Sequence, residues 1–160
     1  MNNLSNLVLV HKELDELFAL HQTQLVRREF AAAHNSLCDY KNRLEKHMND
    51  EETILIPIYD SRGNIDPTGK TKMFLDEHEK LRNHIDLFLE HTKNLVDNPD
   101  PDLTLLWLIE REAFYKKLIE HHDIREERFL YPELDRITSE SERIEILTQI
   151  EGNATQNPAD

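Results

Sequence analysis

One cysteine, Cys38, in 160 residues leaves no room for a disulfide framework or for Cys-x-x-Cys chemistry, and it suits a reduced compartment. Glycine and proline are also scarce, at three and six. That shortage works against a turn-rich β architecture and, with abundant Leu, Glu, Lys and Asp, favours an all-α chain. No apolar run approaches the roughly 20 residues of a membrane span. The opening MNNLSNLVLVHKELDELF lacks the basic region and small-residue cleavage site of a signal peptide, so a cytoplasmic protein without membrane association is expected. Positive charge is in deficit: 19 Lys and Arg against 32 Asp and Glu give a net charge of −13. A basic footprint for nucleic acid or an acidic membrane surface is therefore missing, and the acidic excess reads as solvated helix surface. The length fits one domain with a real core.

What the chain does have is a repeat. Tyr40 to Pro57, YKNRLEKHMNDEETILIP, and Tyr115 to Pro132, YKKLIEHHDIREERFLYP, share eight of eighteen positions: Tyr40/Tyr115, Lys41/Lys116, Glu45/Glu120, His47/His122, Glu51/Glu126, Glu52/Glu127, Leu55/Leu130 and Pro57/Pro132. Composition alone would give about one. Each copy carries a His and a Glu four residues apart. On a helix that spacing turns the chain by about 400°, so both side chains leave one face, roughly 6 Å apart along the axis.

Apolar periodicity predicts four long helices, over about 4–26, 29–59, 71–96 and 103–131. The break after the first, within VRREF, is weakly marked. Pro57 is expected to end or bend the second. SRGNIDPTGK, residues 61–70, and DNPDPD, residues 97–102, are clear loops. SESERIEILTQI reads as a short C-terminal helix with Ser139 or Ser141 as N-cap, and the last eight residues or so as a frayed tail. The expected architecture is an up-down-up-down four-helix bundle over residues 1–135, with a capping helix and flexible tail over 136–160.

In such a bundle, antiparallel neighbours meet at one level when the turn lies midway between the meeting residues. With Asn49 and Ile124 as centres of the two His-x-x-x-Glu pairs, the midpoints fall at residue 30, between 63 and 64, and at 101. All three lie at or inside a break. His11, His47, Glu51, His78, His122 and Glu126 can therefore share one interior layer. Leu14, Leu44, Leu81 and Leu118 lie about one turn to one side of it, and Leu7, Ile54, Phe74 and Phe129 about one turn to the other.

Four imidazoles and two carboxylates buried without partners would cost several kcal/mol for each charged group. A metal is the partner each needs. Nitrogen and carboxylate donors without thiolate point to iron or manganese, with zinc a further option. Six side chains exceed what one ion takes while keeping an open position, so two ions are expected, bridged by Glu51 and Glu126. Each would receive two histidines and two carboxylate oxygens, leaving about two positions for a bridging oxygen and an external ligand.

The order His11, His47-Met-Asn-Asp-Glu51, His78, His122-Asp-Ile-Arg-Glu126, with Glu-Glu-x-x-Leu-x-Pro after each pair, resembles the hemerythrin-like (HHE cation-binding) family over about residues 7–133. Ferritin-like di-iron proteins use Glu-x-x-His instead, and no Glu here stands three residues before a His. The resemblance implies two iron ions, oxo- or hydroxo-bridged, held by the six residues. It further implies a non-haem di-iron protein that binds or reacts with oxygen, nitric oxide or peroxide in sensing, iron handling or stress response. Oxygen carriers of the family have a further His four residues after the third-helix histidine, and this chain has Arg82 there. A reversible carrier is therefore not expected, and both metals should be similar and more open. Repair of damaged iron centres, a role of relatives with the same six-ligand pattern, ranks second. A metal-free helical interaction module, whose polar layer only sets helix register, is the reading of a different class.

Other polar residues carry smaller expectations. Asp15 and Arg82 could form an ion pair above the layer. Glu52 and Glu127, turned about 140° from their histidines, are expected at the surface or behind the ligands. His21 and His34 are placed near the core edge without a carboxylate partner, His84 and His91 in solvent, and His121 off the buried stripe. Tyr40, Tyr115 and Trp107 read as packing residues.

Overall fold

The computed structural model describes residues 2–155, all of it helix and connection with no strand among the described residues. After a 3-10 turn over Leu4–Leu7 come α1 (Val8–Val26), α2 (Phe30–Asp50) and α3 (Ile56–Arg62). A second 3-10 turn over Pro67–Gly69 leads into α4 (Thr71–Leu95), α5 (Asp102–Arg125), α6 (Tyr131–Ile137) and α7 (Glu140–Thr155). Helix α1 packs on α2, α2 on α4, α4 on α5, and α5 back on α1. That closed ring of antiparallel neighbours is the up-down-up-down bundle predicted from the loops.

Two stretches depart from regular α-helix. Between α2 and α3, Glu51–Leu55 forms a π turn, and between α5 and α6, Glu126–Leu130 forms another. The Ile56 amide donates to the Glu51 carbonyl, and the Tyr131 amide to the Glu126 carbonyl, each five residues back. Helical backbone continues through each π turn into α3 and α6, so Pro57, expected to end or bend the second helix, does not end it. Proline is barred from a helix interior by its missing donor and its clash with the carbonyl four residues earlier; the widened turn ahead of Pro57 and Pro132 removes that conflict.

The unmarked break after α1 is made without glycine. Arg28 takes the left-handed conformation, φ 60°, uncommon for a side chain of its size, and its guanidinium reaches Asp102 at 2.7 Å. At the other end of the chain, α7 opens with a reciprocal cap. The Glu142 amide donates to Ser139 Oγ at 3.3 Å and the Ser139 amide to Glu142 Oε2 at 2.7 Å, the Ser-x-x-Glu capping box. The helical part of the expected tail reaches Thr155, and its last five residues lie outside the described ones.

Apolar side chains form two cores. One holds Leu14, Phe18, Leu37, Leu44, Leu81, Ile85, Phe88 and Tyr115. The other holds Leu4, Ile54, Leu55, Phe74, Leu130, Leu134 and, from α7, Ile146. Each fully buried Leu, Ile or Phe contributes roughly 1.5–3 kcal/mol. Between the cores lies the polar layer. Asp135 pins the N-terminal turn beneath it, accepting from the Leu4 amide at 2.6 Å and from Ser5 Oγ at 2.6 Å.

Several polar residues sit otherwise than expected. Arg82 bonds Glu45 (2.8 Å) and Glu52 (2.8 Å) rather than Asp15, because α4 packs on α2 and α5, not on α1. His21 is fully buried. It donates from Nδ1 to the Ala33 carbonyl at 2.7 Å and meets Glu112 through Nε2, so it does have a carboxylate partner, one outside the repeat. His91 stacks on Trp107 at 4.3 Å, and His84 lies against Phe88 and Tyr115.

The His21–Glu112 pair generates a metal-independent test. Replacing either partner alone by Leu strands a buried polar group and should cost about 3–5 kcal/mol in denaturant unfolding. The double replacement should cost far less than the two singles together; additive losses would show that the two side chains do not act as a pair.

Candidate metal centre

The structure brings all six predicted side chains into the layer, each with at most 8% of its surface exposed. His11 enters from α1, His47 from α2, His78 from α4 and His122 from α5. Glu51 and Glu126 open the two π turns. The donors form two groups, His11–His47–Glu51–Glu126 and Glu51–His78–His122–Glu126, each with its donor atoms within 4.8 Å of one another. Both carboxylates belong to both groups, and their oxygens divide. Glu51 Oε1 lies 3.4 Å from His47 Nε2, and Glu51 Oε2 lies 3.3 Å from His78 Nε2. Glu126 Oε2 lies 3.0 Å from His11 Nε2, and Glu126 Oε1 lies 2.5 Å from His122 Nε2.

Three of the four imidazoles are held from behind. His11 Nδ1 bonds Glu127 at 3.0 Å, His78 Nδ1 bonds Glu52 at 2.8 Å, and His122 Nδ1 bonds Glu77 at 2.7 Å. A carboxylate on Nδ1 fixes that nitrogen as the donor and leaves Nε2 facing the centre, the arrangement that orients metal-ligating histidines. Two of these carboxylates are themselves anchored, Glu52 by Arg82 and Glu77 by Arg125 at 2.7 Å. Arg82, standing where oxygen carriers have another histidine, thus reaches His78 only through Glu52. Glu52 and Glu127, expected at the surface or behind the ligands, take the second of these places. Each crosses to a histidine of the layer on a neighbouring helix rather than serving its own.

Sequence reasoning missed Glu77 and Tyr131. Glu77 precedes His78, and nothing in its spacing showed that it would turn toward α5. Tyr131 is almost fully buried. Its hydroxyl donates to Glu51 Oε1 at 2.6 Å and lies 3.1 Å from Glu126 Oε2 and 3.2 Å from His11 Nε2. It stands five residues after Glu126, a spacing that faces inward only across a π turn. The doubled Glu-Glu-x-x-Leu-x-Pro, with proline in mid-helix, was the available signal.

The electrostatics show what the layer lacks. Burial alone would push the imidazoles down, but the Glu126 carboxylate outweighs it at His11, and Glu126 with Glu51 does so at His78. Both are raised to about 9, and His122 well above its usual range. Burial would likewise raise Glu126, yet His122, His11 and His47 hold it well below the usual carboxylate range. Asp123, 3.8 Å from His11 Nε2, is pushed up to about 7, chiefly by burial. Even so, Glu51 Oε2 and His122 Nε2 are buried without a hydrogen-bond partner among the described residues. Both face the His78–His122 group. His122 Nε2 is in contact with Glu126 Oε1 but outside hydrogen-bond geometry.

The donor set fits metal ions. Donors at adjacent corners of an octahedron with bonds of roughly 2.0–2.2 Å stand about 3 Å apart, and the inward contacts run from 2.5 to 3.8 Å. A cation between them would satisfy both orphaned atoms. Access is available beside His47, where a cavity of about 210 Å³ between α1, α2 and α7 is lined by Val10, Leu14, His47, Glu51 and Ile150.

Bundle and layer together define a class: a helical protein whose interior histidines and glutamates could hold metal. The chain matches the hemerythrin HHE cation binding domain over residues 2–95, more than half its length, and it belongs to that family. The match takes in His11, His47, Glu51 and His78. His122 and Glu126 lie beyond it and join through the internal repeat and the geometry. No curated protein and no solved structure matches the chain. No helix among the described residues is long and apolar enough to cross a membrane.

Glu52→Gln, Glu77→Gln and Glu127→Gln should each weaken metal binding by about 10–100-fold in chelator competition, whereas the exposed Glu79→Gln should not. The metal-free chain should also show a specific pH profile. The depressed carboxylates of Glu126, Glu52 and Glu77 contribute stability that is present above about pH 4.5 and lost as pH falls through their folded values. His11 and His78 contribute stability that is complete below 6.5 and lost as pH rises through about 9. Melting temperature should therefore fall between pH 6.5 and 9 without metal. Bound metal takes the place of those protons and should abolish or reverse the fall.

Proposed function

We propose that the chain is a non-haem di-iron protein whose two ions are held by His11, His47, Glu51, His78, His122 and Glu126, with an oxo or hydroxo bridge between them. It binds or reacts with a small ligand (oxygen, nitric oxide or peroxide) in sensing, iron handling or stress response. One observation carries this reading: each of two buried carboxylates turns one oxygen to one pair of imidazoles and the other oxygen to the second pair. A hydrogen-bonded polar core has no need of that division, whereas a pair of bridged cations does. Mixed nitrogen and oxygen donors without sulfur favour iron over softer-ligand metals. Bound iron would supply redox chemistry and open coordination positions. The protein's own part is to orient the imidazoles, exclude bulk water and leave an approach beside His47. A metal-free register device would leave Glu51 Oε2 and His122 Nε2 without the partner that justifies burying them.

The test is elemental analysis of the untagged chain together with Glu51→Ala/Glu126→Ala. About two iron per chain, reduced to near zero in the double variant, is expected. A full iron complement in that variant would remove the proposal. Spectra of the reduced chain exposed to oxygen, nitric oxide or peroxide then identify the ligand.

A further inference from the structure

The two halves of the centre are not alike, and the difference is one side chain. Overlaying the repeats sets Tyr131 on Ile56. Both directly follow a π turn, both are buried, and both have their backbone amide bonded to the glutamate five residues before. Only Tyr131 brings a donor atom. Its oxygen touches three ligand atoms of the His11–His47 group, namely Glu51 Oε1, Glu126 Oε2 and His11 Nε2, at 2.6, 3.1 and 3.2 Å. These match the shorter separations among the four proposed donors: His11 Nε2 lies 3.1 Å from His47 Nε2 and 3.0 Å from Glu126 Oε2, while His47 Nε2 lies 3.4 Å from Glu51 Oε1 and 3.8 Å from Glu126 Oε2. An atom about 3 Å from three donors that converge on one ion occupies an adjacent corner of the same coordination shell.

We propose that Tyr131 Oη is a fifth protein ligand to the ion on the His11–His47 side. The inference rests on the di-metal reading above and extends it. Coordination replaces the O–H bond by a metal–oxygen bond. The oxygen supplies the electron pair, the proton leaves to solvent, and no change of oxidation state is involved. Tyrosinate is an established type of iron ligand, and a bound cation displaces protons from the groups that ligate it. The ion on the His78–His122 side keeps four protein donors, so the two ions are unequal, in contrast to the similar coordination expected from the sequence.

The experiment uses the full chain loaded with iron and brought to the ferric state with ferricyanide. Ferric phenolate ligation gives a visible charge-transfer band, and Raman excitation within that band enhances tyrosinate ring modes. Growth on ring-deuterated tyrosine should shift those modes in the unsubstituted chain, a readout that needs no variant. Tyr131→Phe should abolish band and modes completely while about two iron per chain remain. A chain that holds two iron without the band, or a band that survives in Tyr131→Phe, overturns the proposal and leaves the di-iron reading standing. A chain that holds no iron overturns both.

Discussion

The energetic constraint on this fold is the burial of Glu51 and Glu126. Two carboxylates, each about 1% exposed or less, cannot be taken out of water unless positive charge meets them, and four imidazoles arrive from four helices to do so. In the metal-free state protons supply that charge, which is why His11 and His78 are held near 9 against the effect of burial. The surrounding shell follows from the same need. Glu52, Glu77 and Glu127 fix the outward nitrogens, and Arg82 and Arg125 hold two of those carboxylates. The bundle's apolar cores above and below exclude water from a layer that would otherwise dissolve into ordinary solvated side chains.

The helix order and the convergence of the six side chains were legible in the sequence for a simple geometric reason. Helix rise is constant, so residue numbers convert into heights, and the midpoints at 30, 63–64 and 101 fell on the breaks. Leu14, Leu44 and Leu81 indeed lie in one core, and Ile54 and Phe74 in the other. Angular position around each helix was less legible. Regular α spacing turns Tyr131 away from the centre, and the π turn alters that facing. Contacts between helices that share no motif were not legible at all. Arg82 meets Glu45 and Glu52 instead of Asp15, and His21 meets Glu112, because spacing along one helix says nothing about which neighbour a long side chain will reach.

Arg82 shows how a departure from a family pattern can be read from structure. Standing where oxygen carriers place another imidazole, it bonds Glu45 and Glu52 and so braces His78 at one remove. The donor lost on α4 is thus replaced by a support. The Tyr131 hydroxyl enters the layer from α6, beside the opposite pair of histidines.

The two π turns have a consequence for how this chain can vary. Each is a stretch of fixed length wedged between a glutamate and a proline, and the whole of α3 or α6 is phased by it. Loss of a single codon there would close an ordinary helix in which four residues span the arc that five span now, so Tyr131 or Ile56 would stand four residues after its glutamate and still face the interior. What such a loss would remove is the widened turn that accommodates Pro57 and Pro132 in mid-helix.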